Sequence, residues 1–441
     1  MTGREIAFQV LRRVEAGGAF ASRALDAALA QAGALPTREA GLATELVYGT
    51  LRRALALDAA LQLHASRPIA AADPAARVAL RIGAYQLLHL GTPAHAAVSE
   101  AVELVRSVQH GRAAGFVNAV LRALARDPRP APAPPLAEDP AGHVALTEAV
   151  PRWLAEEWVG WLGAEEALAL ARGMNTPAPL TLRAPGREAL LDRLTRAGLD
   201  AAVTPRSPDG LLVRGASVAA VARAAGGLAF QVQDEAAQLV SRYAAGHLRG
   251  GGRVLDACAA PGGKTFHLAE LLGPEGEVVA VELHPRKAEE LRGEAERRGL
   301  GGRVRVICAD AAKPIPGLAV GSFDAVLVDA PCTGLGTLRR HPELKLRREP
   351  GDPARMTGTQ RAILEACASY AHPAALVTYS VCSLTRAEGP EVAGWAAGKG
   401  LARAPAPAGF PADVLTAEGD LLTLPHRHGC DGFYAVRFTR R

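Results

Sequence analysis

Apolar residues in the first 126 positions recur with a helical period. Ala7, Val10, Leu11 and Val14 follow the i, i+3, i+4, i+7 stripe of an amphipathic helix. Thr37 is placed to cap a helix whose apolar face includes Leu42, Leu46 and Val47. Asp73-Pro74 supplies an N-cap with proline at the first helical position, ahead of Val78, Ile82 and Tyr85. Val98, Val102 and Val105, then Val117, Val120, Leu121 and Leu124, mark two more helices. Five or six short helices with short connections predict an all-α bundle over 1–126. The pattern stops at Asp127. From there to Gly142 the chain holds six prolines and little that a core would take, which predicts a semi-rigid linker.

Beyond the linker the period mixes. Leu154, Trp158, Trp161 and Leu162 form an apolar helical face, expected as core. Leu180–Arg183 and Leu211–Arg214 read as strands, with helices around 190–194 and 218–225, so 143–232 is expected as a small α/β unit. From Gln233 to the C-terminus, short apolar runs each end in polar residues. Arg253 to Cys258 leads into a small-residue turn, Gly276 to Leu283 carries Glu282 at its end, and Val304 to Cys308 ends at Asp310. Phe323 to Val328 ends at Asp329-Ala330-Pro331-Cys332, and Ala375 to Ser380 ends at Val381-Cys382-Ser383. Leu421 to Leu424 and Phe433 to Phe438 flank Asp431-Gly432, a hairpin signal at a sheet edge. Strands alternating with helical stretches predict an open, mostly parallel sheet, with every polar group of interest at the carboxyl end of a strand, where such sheets bind ligands.

The turn after the first of these strands carries the most information. Cys258-Ala259-Ala260-Pro261-Gly262-Gly263-Lys264 lies between a strand and a helix that starts near Phe266, an arrangement that turns backbone N–H groups and a helix N-terminus toward a ligand. Gly262 and Gly263 are read as permitting close approach. The complete phosphate-binding P-loop, Gly-x-x-x-x-Gly-Lys-Ser/Thr, and the dinucleotide motif Gly-x-Gly-x-x-Gly are both absent. A nucleoside cofactor without a pyrophosphate fits better, with Glu282 at the end of strand two suited to ribose hydroxyls.

Composition narrows the class. At 441 residues and 49% apolar content the chain can bury two or three domains. A net charge of +5 does not by itself indicate nucleic acid, since solubility accounts for it. There is no charged stretch followed by an apolar one near Met1 and no apolar run of membrane-spanning length, so a soluble cytoplasmic chain with no membrane association is expected. Six cysteines over this length do not make a disulfide scaffold, and none shows zinc-ligand spacing, so no metal is expected. The cations are almost all arginine. Against that background a lysine in the glycine turn stands out, because a compact ammonium fits where a planar guanidinium does not.

Three stretches, Asp256-Ala257-Cys258-Ala259-Ala260-Pro261-Gly262-Gly263-Lys264-Thr265, Asp329-Ala330-Pro331-Cys332 and Tyr379-Ser380-Val381-Cys382-Ser383, resemble the RNA cytosine-C5 methyltransferases. The whole chain is similar to the bacterial small-subunit (16S) ribosomal RNA branch, the Sun or Rsm B family, whose catalytic part follows a helical domain like the antitermination factor Nus B. Departures are Val381, where threonine is usual, and 386–391, where Glu-Glu-Asn is common; an altered local turn is expected from them. The resemblance implies a Rossmann-like methyltransferase domain over 233–441 with a mostly parallel seven-stranded sheet, S-adenosylmethionine as cofactor, and RNA as partner, either 16S ribosomal RNA or a small-subunit assembly intermediate. A monomer is expected.

Carbon 5 of cytosine is too weak a nucleophile to accept a methyl group unaided. A thiolate added at carbon 6 activates it, which calls for covalent catalysis on a flipped-out base. The resemblance assigns Cys382 as nucleophile and Cys332 to product release; position along the chain alone does not say which is which. It gives Asp329 contacts to the cofactor and to the N3/N4 edge of cytosine, Asp310 the adenine amino group, Glu282 the ribose, and Lys264 the Asp329 side of the pocket or the RNA. The backbone from Cys258 to Lys264 is expected to line the cofactor. For RNA phosphates the expected groups are Arg12, Arg13, Arg52, Arg53, Arg112 and Arg122 on the bundle, Arg183, Arg206 and Arg214 in the middle unit, and a clamp from Arg339, Arg340, His341, Lys345, Arg347 and Arg348. The same chemistry on tRNA, or a non-catalytic RNA-binding assembly or antitermination factor, are the rival readings. The glycine spacing excludes a nicotinamide dehydrogenase.

Overall fold

The computed structural model describes residues 1–108, 112–248 and 250–440. They divide into two units, 1–176 with 338–348, and 177–337 with 349–441.

The first unit is helical. Its bundle consists of α1 (Gly3–Glu15), α2 (Ala21–Ala32), α3 (Thr37–Gln62), α4 (Pro74–Leu88), α5 (Ala94–Arg106) and α6 (Arg112–Arg126). One core joins them, including Ile6, Val10, Leu46, Leu57, Ile82 and Leu121. Thr2 and Glu5 form a reciprocal capping box on α1, and the Asp73 carboxylate caps α4 by accepting from Ala75 N–H. Thr37 does not cap. It is already the first residue of α3, and Pro36, which has no side-chain donor or acceptor, takes the N-cap.

The middle unit was expected from residue 143, but α7 (Pro140–Thr147), α8 (Arg152–Leu162) and α9 (Ala164–Asn175) group with the bundle. The reason is polar as well as apolar: buried Glu148 pairs with Arg53 of α3 and Arg172 of α9, while Trp158 is fully buried. The basic stretch after Cys332 also belongs here, and three of its six expected phosphate-facing groups, Arg339, Lys345 and Arg347, are instead engaged within the protein. Lys345 is 2% exposed and donates to the Arg52 carbonyl and to Asn175 Oδ1, and Arg347 donates to the carbonyls of Val14 and Ala19. Arg339 is buried and donates to Thr176 O at 3.4 Å. Of the expected RNA-facing arginines on the bundle, Arg12, Arg13 and Arg122 are exposed. Arg53 is half-buried and bonded to Thr147 O, and Arg52 stacks over Tyr48. The side chain of Arg112 lies outside the described residues.

The second unit contains two sheets. The smaller is antiparallel, in the order β2-β3-β1-β4, from β1 (Leu180–Arg183), β2 (Asp200–Val203), β3 (Gly210–Arg214) and β4 (Gln231–Val232). Helices Arg187–Arg196 and Val218–Ala225 cover it through Leu190, Leu194 and Val221. Arg183 of β1 is 1% exposed; it donates to Gln233 and Gln231 and pairs with Glu270, so it cannot meet a phosphate. Arg206 is engaged by Asp413 and the His428 carbonyl, and Arg214 remains exposed beside Asp200.

The larger sheet runs β10-β12-β9-β8-β5-β6-β7, with β11 also paired to β12. Its strands are β5 (Arg253–Asp256), β6 (Glu277–Glu282), β7 (Val304–Cys308), β8 (Phe323–Asp329), β9 (Ala371–Val381), β10 (Leu401–Arg403), β11 (Leu421–Thr423) and β12 (Phe433–Arg440). β5 to β9 are parallel and the last three are antiparallel. The path has the seven strands expected and β11 makes an eighth. The expected β11–β12 hairpin is present, but β10 lies outside β12, too short to carry a sequence signal. Cores on both faces make the sheet doubly wound. Leu239, Phe266 and Leu291 belong to one, and Ile363, Leu364 and Val392 to the other. The chain runs β5, β6, β7 toward one edge and returns to β8 on the far side of β5. That strand-order reversal opens a crevice at the carboxyl ends of β5, β6 and β8.

Burial pulls the Arg183 guanidinium down to about 9, yet leaves it charged at neutral pH against Glu270. Arg183→Ala strands that carboxylate and two glutamines. We expect a loss of about 3–5 kcal/mol in urea unfolding of this unit.

Candidate active site

β5 ends at Asp256, and the turn that follows leads directly into the helix Gly263–Leu272. The turn is compact because Gly262, its N-cap, has φ +102°, and a Cβ there would come within 2.5 Å of the Phe266 ring and 2.6 Å of Leu291. Gly262 is therefore needed for the turn and its packing. Backbone ties fix the turn to the next strand: Ala259 N–H donates to Val281 O at 2.9 Å, and Ala260 N–H to Glu282 Oε2 at 3.3 Å. The other oxygen of Glu282 accepts from His284 N–H at 2.9 Å. Cys258 is half-buried, and burial pushes its thiol well above the ordinary range. Asp310, just past β7, accepts from Ala312 N–H and pairs with Lys313; those bonds hold its carboxyl below the usual carboxylate range.

Lys264, Asp329, Cys332 and Cys382 come together. Lys264 is in the first turn of the Gly263–Leu272 helix, and its Nζ is 2.7 Å from Asp329 Oδ2 and 5.0 Å from the centre of the Phe433 ring. Burial pulls the ammonium pKa down, but the Asp329 charge and hydrogen bond outweigh it, and the group stays protonated above its ordinary range. The second Asp329 oxygen accepts from Ser380 Oγ at 2.7 Å. The Cys332 and Cys382 sulfurs are 3.3 Å apart. The Cys332 thiol is raised well above the usual range, first by its hydrogen bond to Cys382, then by burial and by the charges of Cys382 and Glu388.

The sequence reading missed the groups that hold these side chains. Ser380 was quoted only as part of a strand end. Asp256, fully buried, accepts from Thr265 Oγ1 at 2.7 Å and anchors the turn from below. Glu388, 0% exposed, accepts from Thr333 and Ser383, the residues that directly follow the two cysteines. A signal was present, since hydroxyl residues cluster around both cysteines. Their common acceptor, six residues beyond Cys382, was read only as a turn.

A family described as 16S rRNA methyltransferase RsmB/F matches residues 246–439, the NusB family matches 1–126, and a ferredoxin-like domain of RsmF/B-like methyltransferases matches 150–219. The ribosomal RNA small subunit methyltransferase B of Thermus thermophilus is 37% identical over 439 residues, covering 100% of this chain and 98% of that protein. The enzyme of the same name from Pseudomonas syringae pv. tomato is 34% identical over 412 residues, covering 91% and 90%. The chain belongs to the RsmB/F family of 16S rRNA methyltransferases. Among solved structures, PH0851 superposes with TM-score 0.83 over 100% of this chain and 99% of its own at 24% identity, which bears on the fold alone.

For an RsmB/F methyltransferase domain the crevice has suitable donors and acceptors for a nucleoside cofactor. Glu282 and Asp310 end the neighbouring strands β6 and β7, and both present carboxylate acceptors to hydroxyl and amino groups. Among the described residues no group of side chains could hold a metal ion, and no helix is long and apolar enough to cross a membrane.

Burial raises the Asp256 carboxyl to about 6. The folded state therefore binds this proton more tightly than the unfolded chain does. The stability it contributes is complete below the unfolded value near 3.9 and is lost as pH rises through about 6. The full swing is about 3 kcal/mol. Asp256→Asn keeps an acceptor for Thr265 and cannot ionise. Its urea midpoint should gain on the wild type steadily from pH 4 to pH 7.

Proposed function

We propose that this chain transfers the methyl group of S-adenosylmethionine to carbon 5 of a cytosine in 16S ribosomal RNA, through a covalent bond between Cys382 and carbon 6 of that base. The observation that carries the reading is the pair of sulfurs 3.3 Å apart beside the Lys264–Asp329 ion pair. A single catalytic thiol would not need a second one at that distance. The names of the relatives support ribosomal RNA of the small subunit as substrate.

In this reading the cofactor supplies an electrophilic methyl group, and the chain supplies the rest. Glu282 holds the ribose and Asp310 the adenine amino group, with the backbone from Cys258 to Gly263 as the wall between them. Asp329 accepts from the amino edge of cytosine. Lys264 keeps a positive charge within electrostatic reach of the Cys382 sulfur. Cys382 adds to carbon 6, and the electrons of the 5,6 double bond become available at carbon 5. Once carbon 5 carries the methyl group, its proton leaves to solvent, the double bond re-forms and the carbon–sulfur bond breaks. Cys332 retains its proton and lies beside Cys382, so it is placed to donate a hydrogen bond to the departing thiolate.

Cys382→Ala should abolish methylation and give no covalent RNA complex. Cys332→Ala should still attack and transfer the methyl group, then release RNA roughly 10–10²-fold more slowly, the loss expected for one hydrogen bond to a charged leaving group. A denaturant-resistant protein–RNA band should appear for that variant alone, and the double variant should show none. The opposite pattern would exchange the two roles.

Calorimetry should show binding of S-adenosylmethionine and not of NAD. Glu282→Ala should weaken the cofactor by about 1.5–3 kcal/mol, the range for a hydrogen bond to a charged group. Tighter binding of NAD would refute the cofactor assignment.

A further inference from the structure

The parallel strands β8 and β9 end at Asp329 and Val381, so both cysteines lie on loops just beyond the sheet. Ladder hydrogen bonds do not reach them. Their spacing depends on what fastens 330–336 to 382–388. One fastening is backbone: Gly336 N–H donates to Cys382 O at 2.9 Å, and a Cβ at Gly336 would meet Gly432 O at 1.9 Å. The other is the carboxylate of Glu388. Its Oε1 accepts from Thr333 N–H at 2.8 Å and from Gln360 Nε2 at 3.1 Å. Its Oε2 accepts from Ser383 Oγ at 2.6 Å, from Thr385 Oγ1 at 3.1 Å and from Thr333 Oγ1. Thr333 and Ser383, which share this carboxylate, are also 3.0 Å from each other. Gln360 Nε2 donates in addition to Pro331 O, the residue before Cys332, and Tyr379 OH donates to Glu388 O at 2.6 Å.

We propose that Glu388 is a positioning residue of the reaction: its carboxylate clamps the residue after Cys332 to the residue after Cys382 and so sets the distance between the two thiols. This rests on the two-thiol reading above. Burying a carboxylate is costly, and apolar packing would close the same space at lower cost. What a carboxylate offers is two oxygens with several acceptor directions, enough to take five donors from two loops and a helix at once. Among the donors named, two are N–H groups at one oxygen and three are hydroxyls at the other. Glutamine can reproduce this with its carbonyl toward the N–H groups and its amide toward hydroxyls that rotate to accept. Alanine cannot, and aspartate withdraws the carboxylate by about 1.5 Å, one carbon–carbon bond.

The test has an arm that uses neither RNA nor cofactor. Diamide, an azo oxidant that takes two electrons and two protons from a pair of thiols, is added to the full-length protein, and Cys332–Cys382 disulfide formation is followed by non-reducing peptide mass spectrometry. Glu388→Ala and Glu388→Asp should form it at least tenfold more slowly than the wild type, and Glu388→Gln should recover most of the rate. In the second arm, steady-state methylation of 16S RNA, Ala and Asp should lower kcat at least tenfold with KM for RNA within twofold, and Gln should again recover. Wild-type disulfide rates in Ala and Asp would overturn the proposal. If Ala does not fold, Asp decides, and loss of fold in all three variants would also overturn it, since Glu388 would then support the domain rather than the thiols. If the first arm behaves as stated while the wild type neither methylates RNA nor forms an adduct, the proposed function fails and the clamp stands.

Discussion

The register of β8 against β9 is the constraint from which the site follows. Val328 pairs with Tyr379 and Asp329 with Ser380. Cys332 is three residues beyond one member of that last pair, and Cys382 two beyond the other, so parallel pairing brings both sulfurs to the same end of the sheet. A slip of one residue would turn Ser380 to the opposite face, release Asp329 from its hydroxyl donor and separate the thiols. Register is fixed by burial on both faces: Val326, Val328, Val377 and Tyr379 fill one core, and Ala325 and Leu327 the other. The apolar runs that merely look strand-like in sequence therefore set the chemistry, because their alternation admits one pairing.

The crevice receives a single cation from the helix that follows β5, and its placement separates two carboxylates that are close in the fold. Asp329 has the Lys264 ammonium on one oxygen and a hydroxyl on the other, in half-exposed surroundings. Asp256 is deeper, has a hydroxyl donor from Thr265, and is raised by burial to about 6. One carboxylate is equipped to meet a ligand, and the other holds the turn in shape. An arginine in place of Lys264 would bring a planar fork into a space bounded by Asp329 and the Phe433 ring, where a compact head group fits.

Elements and their order were legible because hydrophobic periodicity is local. The helices of 1–126, the strands β5 to β9 and the β11–β12 hairpin all leave that signature. The residues at the strand ends were legible for the same reason: the positions of Glu282, Asp310, Asp329, Cys332 and Cys382 follow from where each run stops. The destinations of charged side chains were not. Arg183 and Lys345 read as surface cations, yet the first is buried against Glu270 and two glutamines and the second against the Arg52 carbonyl. Sequence gives a charge its sign and leaves its partner to tertiary structure. Glu388 was overlooked on the same ground, since its donors come from 333, 360, 383 and 385, and only the last two are near it in the chain.

The electrostatics of the sulfur pair give the proposed reaction an internal order. Four influences hold the proton on Cys332: its hydrogen bond to Cys382, burial, the charge of Cys382 and the charge of Glu388. The first and third exist only while the Cys382 sulfur is free. When that sulfur is bonded to carbon, burial and Glu388 remain, and the hold on the proton weakens. When the bond breaks, negative charge returns to Cys382, and a protonated Cys332 beside it is placed to donate a charge-assisted hydrogen bond to the departing sulfur. Such a pair responds to the stage of the reaction without any movement of the backbone, provided the two sulfurs stay within hydrogen-bond reach. A loop free to open by even an ångström would lose the coupling, which is why the clamp on the two loops bears on chemistry as well as on shape.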